Sequence, residues 1–236
     1  MDQIEKQRSY YAKTAQSYDS TCCYDPFDEH YMGLTLLRGI LEKYNIESVL
    51  DVGCGTGRAM RELSGKCPEV SFTGVEPVSE LREEAVRNGL QADQVLEGDA
   101  TRLSFADGAF DCVTMFGVLH HIPNPADAIN EAIRVSRKII FLSDHNVYGM
   151  GSGTTKVVKQ LFRDVGLRRL LNLVLTKGKG YHDTDWDGVF YPFSLIDHIP
   201  LIRGQVSTTY CFPTKTFAIN LYRDASHLAV LGVKQQ

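Results

Sequence analysis

A glycine-rich loop contains the residues best suited to hold a small ligand. The loop Gly53-Cys54-Gly55-Thr56-Gly57 follows the apolar run Ser48–Val52, which carries Asp51 near its end. Alternating glycines let the backbone turn sharply and approach a ligand closely. The pattern is G-x-G-x-G, so Arg58 stands where a dinucleotide-binding fingerprint has its last glycine. The G-K-[ST] end of a phosphate-binding P-loop is also absent, so both nucleotide-phosphate interpretations are disfavoured.

Two acidic positions follow the next apolar runs. Glu76, followed by Pro77, comes directly after the run Ser71–Val75. A carboxylate there can accept hydrogen bonds from both hydroxyls of a ribose. Asp99 and Ala100 follow a weaker run at 94–96. These acids lie at the ends of predicted strands, where ligands bind in open α/β sheets.

Histidines supply the candidates for proton transfer. A general base is needed when a hydroxyl or a protonated amine is the acceptor of a transferred group, and histidine or a carboxylate is the usual choice. The candidate catalytic residues are His145, Asp144 and His121. Asp144 and His145 end a predicted strand, so we expect them to face the acceptor. For the His120-His121 pair, a structural role is the alternative.

A segment rich in aromatic and acidic residues, 181–202, contains Trp186, the only tryptophan of the chain. Aromatic rings mixed with carboxylates suit sugars, which present apolar faces and many hydroxyls. Packing against the core is the alternative for each aromatic residue. Its histidines and aspartates show no metal-ligand spacing, and we expect no metal.

Apolar runs that alternate with helical patterns predict a doubly wound α/β fold. We expect five parallel strands, a C-terminal antiparallel hairpin and an inserted helical lid. The predicted strands are 48–52, 71–75, 94–96, 110–116 and 139–143, with hairpin strands at 216–222 and 227–233. The predicted helices include 28–44, 126–137 and an amphipathic stretch at 155–175.

The chain is expected to form a single domain, 1–236. Its predicted parts are an N-terminal helical cap at 1–45, a cofactor-binding core at 46–145, the lid and substrate region at 146–205, and C-terminal strands at 206–236. The lid is longer than a crossover connection requires.

The glycine loop, the acids and the segment 116–122 resemble, in order and spacing, the motifs of the class I S-adenosylmethionine-dependent methyltransferases, of the small-molecule type. The resemblance covers roughly residues 10–144 and the terminal hairpin, and it implies a Rossmann-like sheet with S-adenosylmethionine as the cofactor. The cofactor-binding residues that it implies are Tyr11, Tyr18, Asp51, Gly53, Cys54, Gly55, Gly57, Glu76, Pro77, Asp99, Ala100, Phe116 and Gly117.

The resemblance also implies individual roles. Asp99 would receive the adenine amino group, and the N–H of the following residue would meet a ring nitrogen. Phe116 and Gly117 would line the methionine end of the cofactor. The stretch from Tyr11 to Tyr18-Asp19 resembles a Y-x-x-x-A-x-x-Y-D motif in which an aromatic ring closes over the cofactor. Packing of a flanking helix is the alternative for these tyrosines.

Composition excludes several classes. With 25 Lys and Arg against 29 Asp and Glu, the net charge of −4 lacks the basic surplus typical of nucleic-acid binding. Met115-Phe116-Gly117 stands where DNA amino-methyltransferases carry [DNS]-P-P-[YFW], which argues against a DNA substrate. We expect no membrane partner and a cytoplasmic chain, since neither a signal peptide nor a long apolar run is visible. The six cysteines are interpreted as free thiols.

The sequence thus predicts an S-adenosylmethionine-dependent methyltransferase that acts on a hydroxyl, or with less support an amine, of a small metabolite such as a sugar or natural-product intermediate. Two alternatives remain open. One is an RNA-modifying methyltransferase whose cations share one helix, namely Lys156, Lys159, Arg163, Arg168 and Arg169. The other is a non-catalytic module that binds the same cofactor. A homodimer through the lid is also open.

Overall fold

The computed structural model describes residues 2–21, 29–215 and 220–235. Its main sheet has seven strands in the order β3-β2-β1-β4-β5-β9-β8. The strands of this sheet and of a separate hairpin (β6 and β7) are β1 Ser48–Val52, β2 Ser71–Val75, β3 Val95–Leu96, β4 Phe110–Phe116, β5 Ser136–His145, β6 His182–Thr184, β7 Gly188–Phe190, β8 Thr208–Pro213 and β9 His227–Val233. Strands β1 to β5 pair in parallel, and β9 pairs antiparallel with both β5 and β8.

Helices cover both faces of this sheet. Alternate side chains of the strands point to opposite faces, so that Val49 and Leu50 of β1 belong to two separate apolar clusters. One cluster contains α2 and α3, and the other contains α5 and α8. The helices are α1 Gln3–Thr21, α2 Tyr31–Lys43, α3 Arg58–Ser64, α4 Ser79–Arg87, α5 Pro125–Val135, α6 Gly153–Asp164, α7 Arg168–Leu175 and α8 Ile199–Arg203.

The predicted fold class is confirmed, including the five parallel strands and a terminal hairpin, but several details differ. The helix predicted at 126–137 is α5 and ends at Val135, directly before β5. Strand β5 is longer than predicted. The stretch 155–175 forms two helices, α6 and α7, because Gly166 takes a left-handed φ of 76° between them. The helix predicted at 28–44 is α2, and its predicted first residue lies outside the described residues.

The first strand of the terminal hairpin was predicted at 216–222, and this was wrong. The strand that pairs with β9 is β8, where threonine and aromatic residues alternate. Residues 216–219 lie outside the described residues. Asn220 instead begins a turn, because its side-chain oxygen accepts the N–H groups of Tyr222 (3.0 Å) and Arg223 (3.2 Å).

A buried asparagine joins the lid to the sheet. Asn146 follows β5 and is fully buried. Its amide nitrogen donates to the carbonyl oxygens of Ala225 (2.8 Å) and Leu221 (3.1 Å), and its side-chain oxygen accepts the Ser194 hydroxyl (2.8 Å). One side chain thus satisfies polar groups from three segments.

Among the described helices, none is both long and apolar enough to cross a bilayer.

Replacing Asn146 with alanine should lower the free energy of unfolding by about 2–3 kcal/mol, because several buried polar groups lose their partner. Denaturant titration measures the change. The control is Asn130→Ala, since the Asn130 side chain bonds Gln205 at an exposed position and should cost well under about 1 kcal/mol. Equal losses in both variants would contradict the anchoring role of Asn146.

Candidate active site

The glycine loop between β1 and α3 exposes its backbone to a pocket. Gly53, Gly55 and Gly57 all take left-handed φ values, of 72°, 54° and 73°. A Cβ at Gly53 would lie 2.5 Å from Val118, and one at Gly57 would lie 2.2 Å from Leu90, so both positions exclude a side chain. A Cβ at Gly55 would meet nothing within 4 Å. The loop is therefore packed on its inner side and open on its outer side.

Backbone donors fix the carboxylate of Glu76 at the wall of this pocket. The Gly55 N–H donates to Oε2 (3.1 Å), and the Val78 N–H donates to Oε1 (2.9 Å). Burial raises the pKa of Glu76, and these two hydrogen bonds partly oppose that rise. Each oxygen uses one of its acceptor positions here, which leaves further positions for a ligand.

A second acid, Asp51, lies behind the loop. It is buried and accepts the Thr114 hydroxyl at 2.8 Å. Burial, together with the nearby Glu76 carboxylate, raises the pKa of Asp51 to about 7, although Thr114 and Arg58 act in the opposite direction.

Asp99 also lines the pocket and is already paired. Its Oδ1 accepts the N–H of Thr101 (2.9 Å) and the hydroxyl of the same residue (2.6 Å), while Oδ2 meets Arg8 of α1 at 2.9 Å. Burial raises the pKa of Asp99, but these contacts outweigh it, so that the net shift is downward.

The pocket brings together most of the residues that the sequence placed at a cofactor site. The predicted residues that line it are Tyr11, Tyr18, Gly53, Gly55, Glu76, Pro77, Asp99, Ala100, Phe116, Gly117 and His121. Asp51, Cys54 and Gly57 do not line the pocket. Asp51 lies in β1, and the other two lie in the glycine loop, where Cys54 is buried and Gly57 packs against Leu90.

Helix α1 forms one wall of the pocket. The rings of Tyr11 and Tyr18 meet edge to face with centroids 5.9 Å apart, and both contact an apolar cluster that includes Leu81 of α4. At the end of α1, Asp19 accepts the Thr56 hydroxyl (2.5 Å) and pairs with Arg61 (2.6 Å). These contacts tie the helix to the glycine loop and to α3.

A buried histidine cation lies at the carboxyl edge of the sheet. His120 Nδ1 lies 2.7 Å from Asp144 Oδ1, and His120 Nε2 lies 3.5 Å from Asp187 Oδ2. Burial by itself lowers the pKa of His120, but the two carboxylates outweigh it and raise the pKa to about 10. At neutral pH, His120 is therefore charged and bridges β5 to the turn before β7.

The next residue, His121, is a neutral histidine at the pocket wall. Its Nδ1 lies 2.9 Å from the carbonyl oxygen of Val189 and 2.9 Å from the amide nitrogen of Gln7. The tautomer in which Nδ1 donates to Val189 leaves the lone pair on Nε2. The Tyr11 hydroxyl lies 2.9 Å from this Nε2 and 3.3 Å from Asp187 Oδ1. Burial and the adjacent His120 cation lower the pKa of His121 to about 4. Nε2 is thus a proton acceptor at neutral pH.

The structure does not place Asp144 and His145 where the sequence suggested, facing the acceptor. Neither residue lines the pocket. Asp144 is 1% exposed and accepts from Leu119 N–H (2.8 Å) and His145 N–H (2.6 Å) besides His120. The His145 ring stacks on His120 at 4.0 Å and meets His227 at 4.7 Å. Burial and the His120 charge lower the pKa of His145 to about 2, so it is a poor proton acceptor.

Sequence reasoning missed two residues of this site. Gln7 of α1 donates to the Asp187 carbonyl oxygen (3.2 Å) and accepts the Val189 N–H. Asp187 itself touches both His120 and His121, each at 3.5 Å. The roles of both residues depend on a contact between the first and the last third of the chain. No local sequence pattern predicts such a contact. Asp187 was noted only as part of the aromatic and acidic segment 181–202, without a role of its own.

Two overlapping groups of histidine and aspartate atoms lie close enough to hold a metal: His120, His121 and Asp187, and His120, Asp144 and His145. Some of these atoms already form hydrogen bonds, since Asp144 binds His120 and the Tyr11 hydroxyl binds His121. The expectation that no metal binds stays a prediction.

Comparison with known proteins identifies the family. Residues 50–139 match a family model described as a methyltransferase domain. The chain is 30% identical over 139 residues to the ubiquinone biosynthesis O-methyltransferase of Photobacterium profundum, covering 58% of this chain and 55% of that protein. It is 30% identical over 99 residues to the demethylmenaquinone methyltransferase of Thermotoga maritima, covering 42% and 43%. The chain therefore spans only about half the length of these relatives.

Solved structures agree in fold. The magnesium protoporphyrin IX methyltransferase of Synechocystis, solved with bound SAH, has a TM-score of 0.62 at 16% identity, covering 97% of this chain and 98% of that one. A methyltransferase of Thermotoga maritima described as a possible histamine N-methyltransferase has a TM-score of 0.60 at 18% identity, covering 96% and 99%. The match to a methyltransferase domain at residues 50–139 and the shared fold agree with the resemblance to the class I S-adenosylmethionine-dependent methyltransferases, whose cofactor is S-adenosylmethionine.

The pocket fits this cofactor. The open side of Gly55 admits a ligand close to the backbone, and the fixed carboxylate of Glu76 suits ribose hydroxyls. Leu81 and Ile122 add apolar surface for a base.

Asp51→Asn should change how stability depends on pH. The folded chain holds the Asp51 pKa at about 7, and the unfolded chain at about 3.9. Between these values only the unfolded state releases the proton, so this group makes the wild type less stable as pH rises. The Tm of the variant minus the Tm of the wild type should therefore increase from about pH 4 to about pH 7 and stay constant above that range.

Scanning calorimetry across this range measures the difference. The control is Asp93→Asn, which changes an exposed acid and should give a flat difference. A flat difference for Asp51→Asn as well would show that Asp51 is ionised throughout.

Proposed function

We propose that this chain transfers a methyl group from S-adenosylmethionine to a hydroxyl oxygen of a small molecule. The observation that carries the proposal is one continuous pocket with two chemically different ends. Glu76 and the glycine loop line one end, and the neutral His121 beside Tyr11 and Asp187 lines the other. Binding and proton removal are thus provided in a single cavity.

The cofactor would lie along the wall formed by β1, β2 and the residue after β3. Glu76 would accept the ribose hydroxyls, and the pocket surface at Asp99 and Ala100 would receive the adenine. Because Arg8 and Thr101 already engage the Asp99 carboxylate, only its remaining acceptor positions serve the amino group. Tyr11 and Tyr18 of α1 would cover the cofactor and exclude water from the transfer.

Methyl transfer from a sulfonium is an in-line displacement, in which the acceptor oxygen forms a bond to the methyl carbon as the bond to sulfur breaks. The cofactor supplies the activated methyl group, so the protein mainly positions the acceptor and removes its proton. His121 Nε2 would take that proton when the acceptor hydroxyl displaces the Tyr11 hydroxyl from it. The Val189 carbonyl would orient the ring through Nδ1, and Asp187 would stabilise the imidazolium that forms.

An oxygen acceptor suits this arrangement because a hydroxyl must lose a proton during transfer. The curated relatives include a protein named as an O-methyltransferase, which agrees with this choice. The RNA alternative loses support, because its proposed cations lie on two helices and three of them make internal contacts. Lys159 donates to Val147 and Met150, Arg163 stacks on Tyr222, and Arg168 pairs with Asp197.

Glu76→Gln should weaken the binding of S-adenosylmethionine by about 10- to 100-fold, because a charge-assisted hydrogen bond to ribose is replaced by a weaker one. Equilibrium dialysis with labelled cofactor measures the affinity. The control is Glu80→Gln, which alters an exposed acid at the start of α4 and should leave affinity unchanged. If Glu76→Gln binds as tightly as the wild type, Glu76 does not touch the cofactor.

His121→Gln should lower kcat by roughly 10²- to 10⁴-fold and leave cofactor affinity within a few-fold. The measurement is release of the demethylated cofactor with a panel of phenols and other small hydroxyl compounds. Since the pKa of His121 is about 4, the base is already deprotonated above about pH 5. Wild-type activity should therefore not fall between pH 8 and about pH 5 on account of this residue.

The matched control for that experiment is His182→Gln, which removes a histidine that stacks on Phe190 in the lid. It should retain turnover. If His121→Gln turns over as fast as the wild type, His121 is not the base. If the wild type binds S-adenosylmethionine but methylates none of the acceptors, the result favours the non-catalytic module.

A further inference from the structure

Helix α6 packs with its polar side inward. Lys159 donates to the carbonyl oxygens of Val147 (3.0 Å) and Met150 (3.1 Å), and the Arg163 guanidinium lies 4.5 Å from the ring centre of Tyr222. None of its residues is buried. At 100° per residue, its cationic residues therefore face the protein, and the opposite side faces solvent.

That outward side of α6 is apolar, and the sequence predicted only an amphipathic stretch at 155–175. Its exposed aliphatic residues are Val157 at 56%, Val158 at 44%, Leu161 at 59% and Val165 at 58%. These positions fall within an arc about 100° wide. A surface helix in a globular protein normally turns such a stripe toward the core. The reversed orientation leaves a continuous apolar strip on the surface.

Helix α7 extends this strip. It buries Leu171 and holds Arg168 against Asp197, while the opposite side is exposed at Leu170 (48%), Leu173 (47%) and Val174 (64%). Leu167, in the turn between the helices, is 47% exposed. We call the exposed aliphatic residues of α6, the turn and α7 the apolar face. A contiguous exposed apolar surface of this kind marks an interaction site.

Cations border the apolar face. Residues 153–180 contain seven Lys and Arg and a single Asp, in a chain whose net charge is −4. Within the part of the chain that the structure describes, Arg169, Lys177 and Lys179 are exposed and form no ion pair. The hairpin of β6 and β7, which belongs to the same lid, carries Trp186, which is 71% exposed.

We propose that the apolar face docks this protein on an anionic membrane surface. Aliphatic side chains flanked by Lys and Arg, with an exposed tryptophan, are the features of a helix that lies in the lipid interface. A symmetric dimer would set the same face against itself and bring the cations of both copies together. An anionic bilayer instead offers apolar chains and complementary charge. The docking does not depend on methyl transfer.

The consequence concerns the acceptor. Helix α6 rests on the residues that directly follow β5, at the edge of the sheet where His120 and His121 lie. Docking therefore places this edge next to the bilayer, so an acceptor that resides in the membrane reaches the site without crossing bulk water.

Vesicle co-sedimentation tests the proposal. The full chain should bind vesicles made from an equal mixture of phosphatidylcholine and phosphatidylglycerol, more weakly at high salt, and should not bind phosphatidylcholine alone. The double variant L161E/L173E should lose binding to the background level. Arg169→Gln should lower the partition coefficient roughly fivefold. The control is Val86→Glu, which adds a charge at a 40% exposed position of α4 and should bind normally.

Circular dichroism melting and cofactor affinity show that each variant is folded, and both should match the wild type because the altered residues are exposed. The proposal fails if the wild type ignores anionic vesicles or if L161E/L173E binds them as well as the wild type does. It also fails if light scattering finds a dimer that L161E/L173E dissociates while no vesicle binds, because the apolar face is then an interface between copies.

Discussion

The buried charge of His120 holds the site together. A buried cation is costly unless it is paired and hydrogen-bonded, and here Asp144 pairs with it from β5 while Asp187 approaches from the lid. Asp144 is in turn saturated by two backbone N–H groups. Because His120 contacts Asp144 of β5 and Asp187 of the lid, its charge links the lid to the end of the sheet.

This link determines what the neighbouring residue can do. With Asp187 fixed, His121 is set between the Val189 carbonyl and the Tyr11 hydroxyl, and the adjacent cation keeps it neutral. The same contacts draw α1 over the pocket through Gln7 and Tyr11. A structural histidine and a candidate catalytic histidine therefore stand side by side, and their opposite pKa shifts arise from one arrangement of charges.

The sequence was informative where local chemistry decides structure. Glycines at three left-handed positions, and an acid at the end of β2, mark the pocket because each must stand at one place in the turn. Sequence reasoning failed where segments that are distant along the chain meet in the fold. Nothing near Asp187 or Gln7 indicates that they touch across the fold, and the base role expected at His145 overlooked the charge stacked against its ring. The paired strand β8 was missed because two neighbouring stretches had similar alternation. The outward apolar side of α6 was not predicted, because periodicity does not specify which way a helix faces.

Calorimetric titration of the purified protein with S-adenosylmethionine, with its demethylated product and with NAD tests the central claim most directly. The account predicts micromolar binding of both methionine derivatives, one molecule per chain, and no heat with NAD, whose pyrophosphate would need the glycine that Arg58 replaces. Binding of NAD with neither methionine derivative would contradict it, because the loop would then hold a dinucleotide and the assignment of every residue around the pocket would fall.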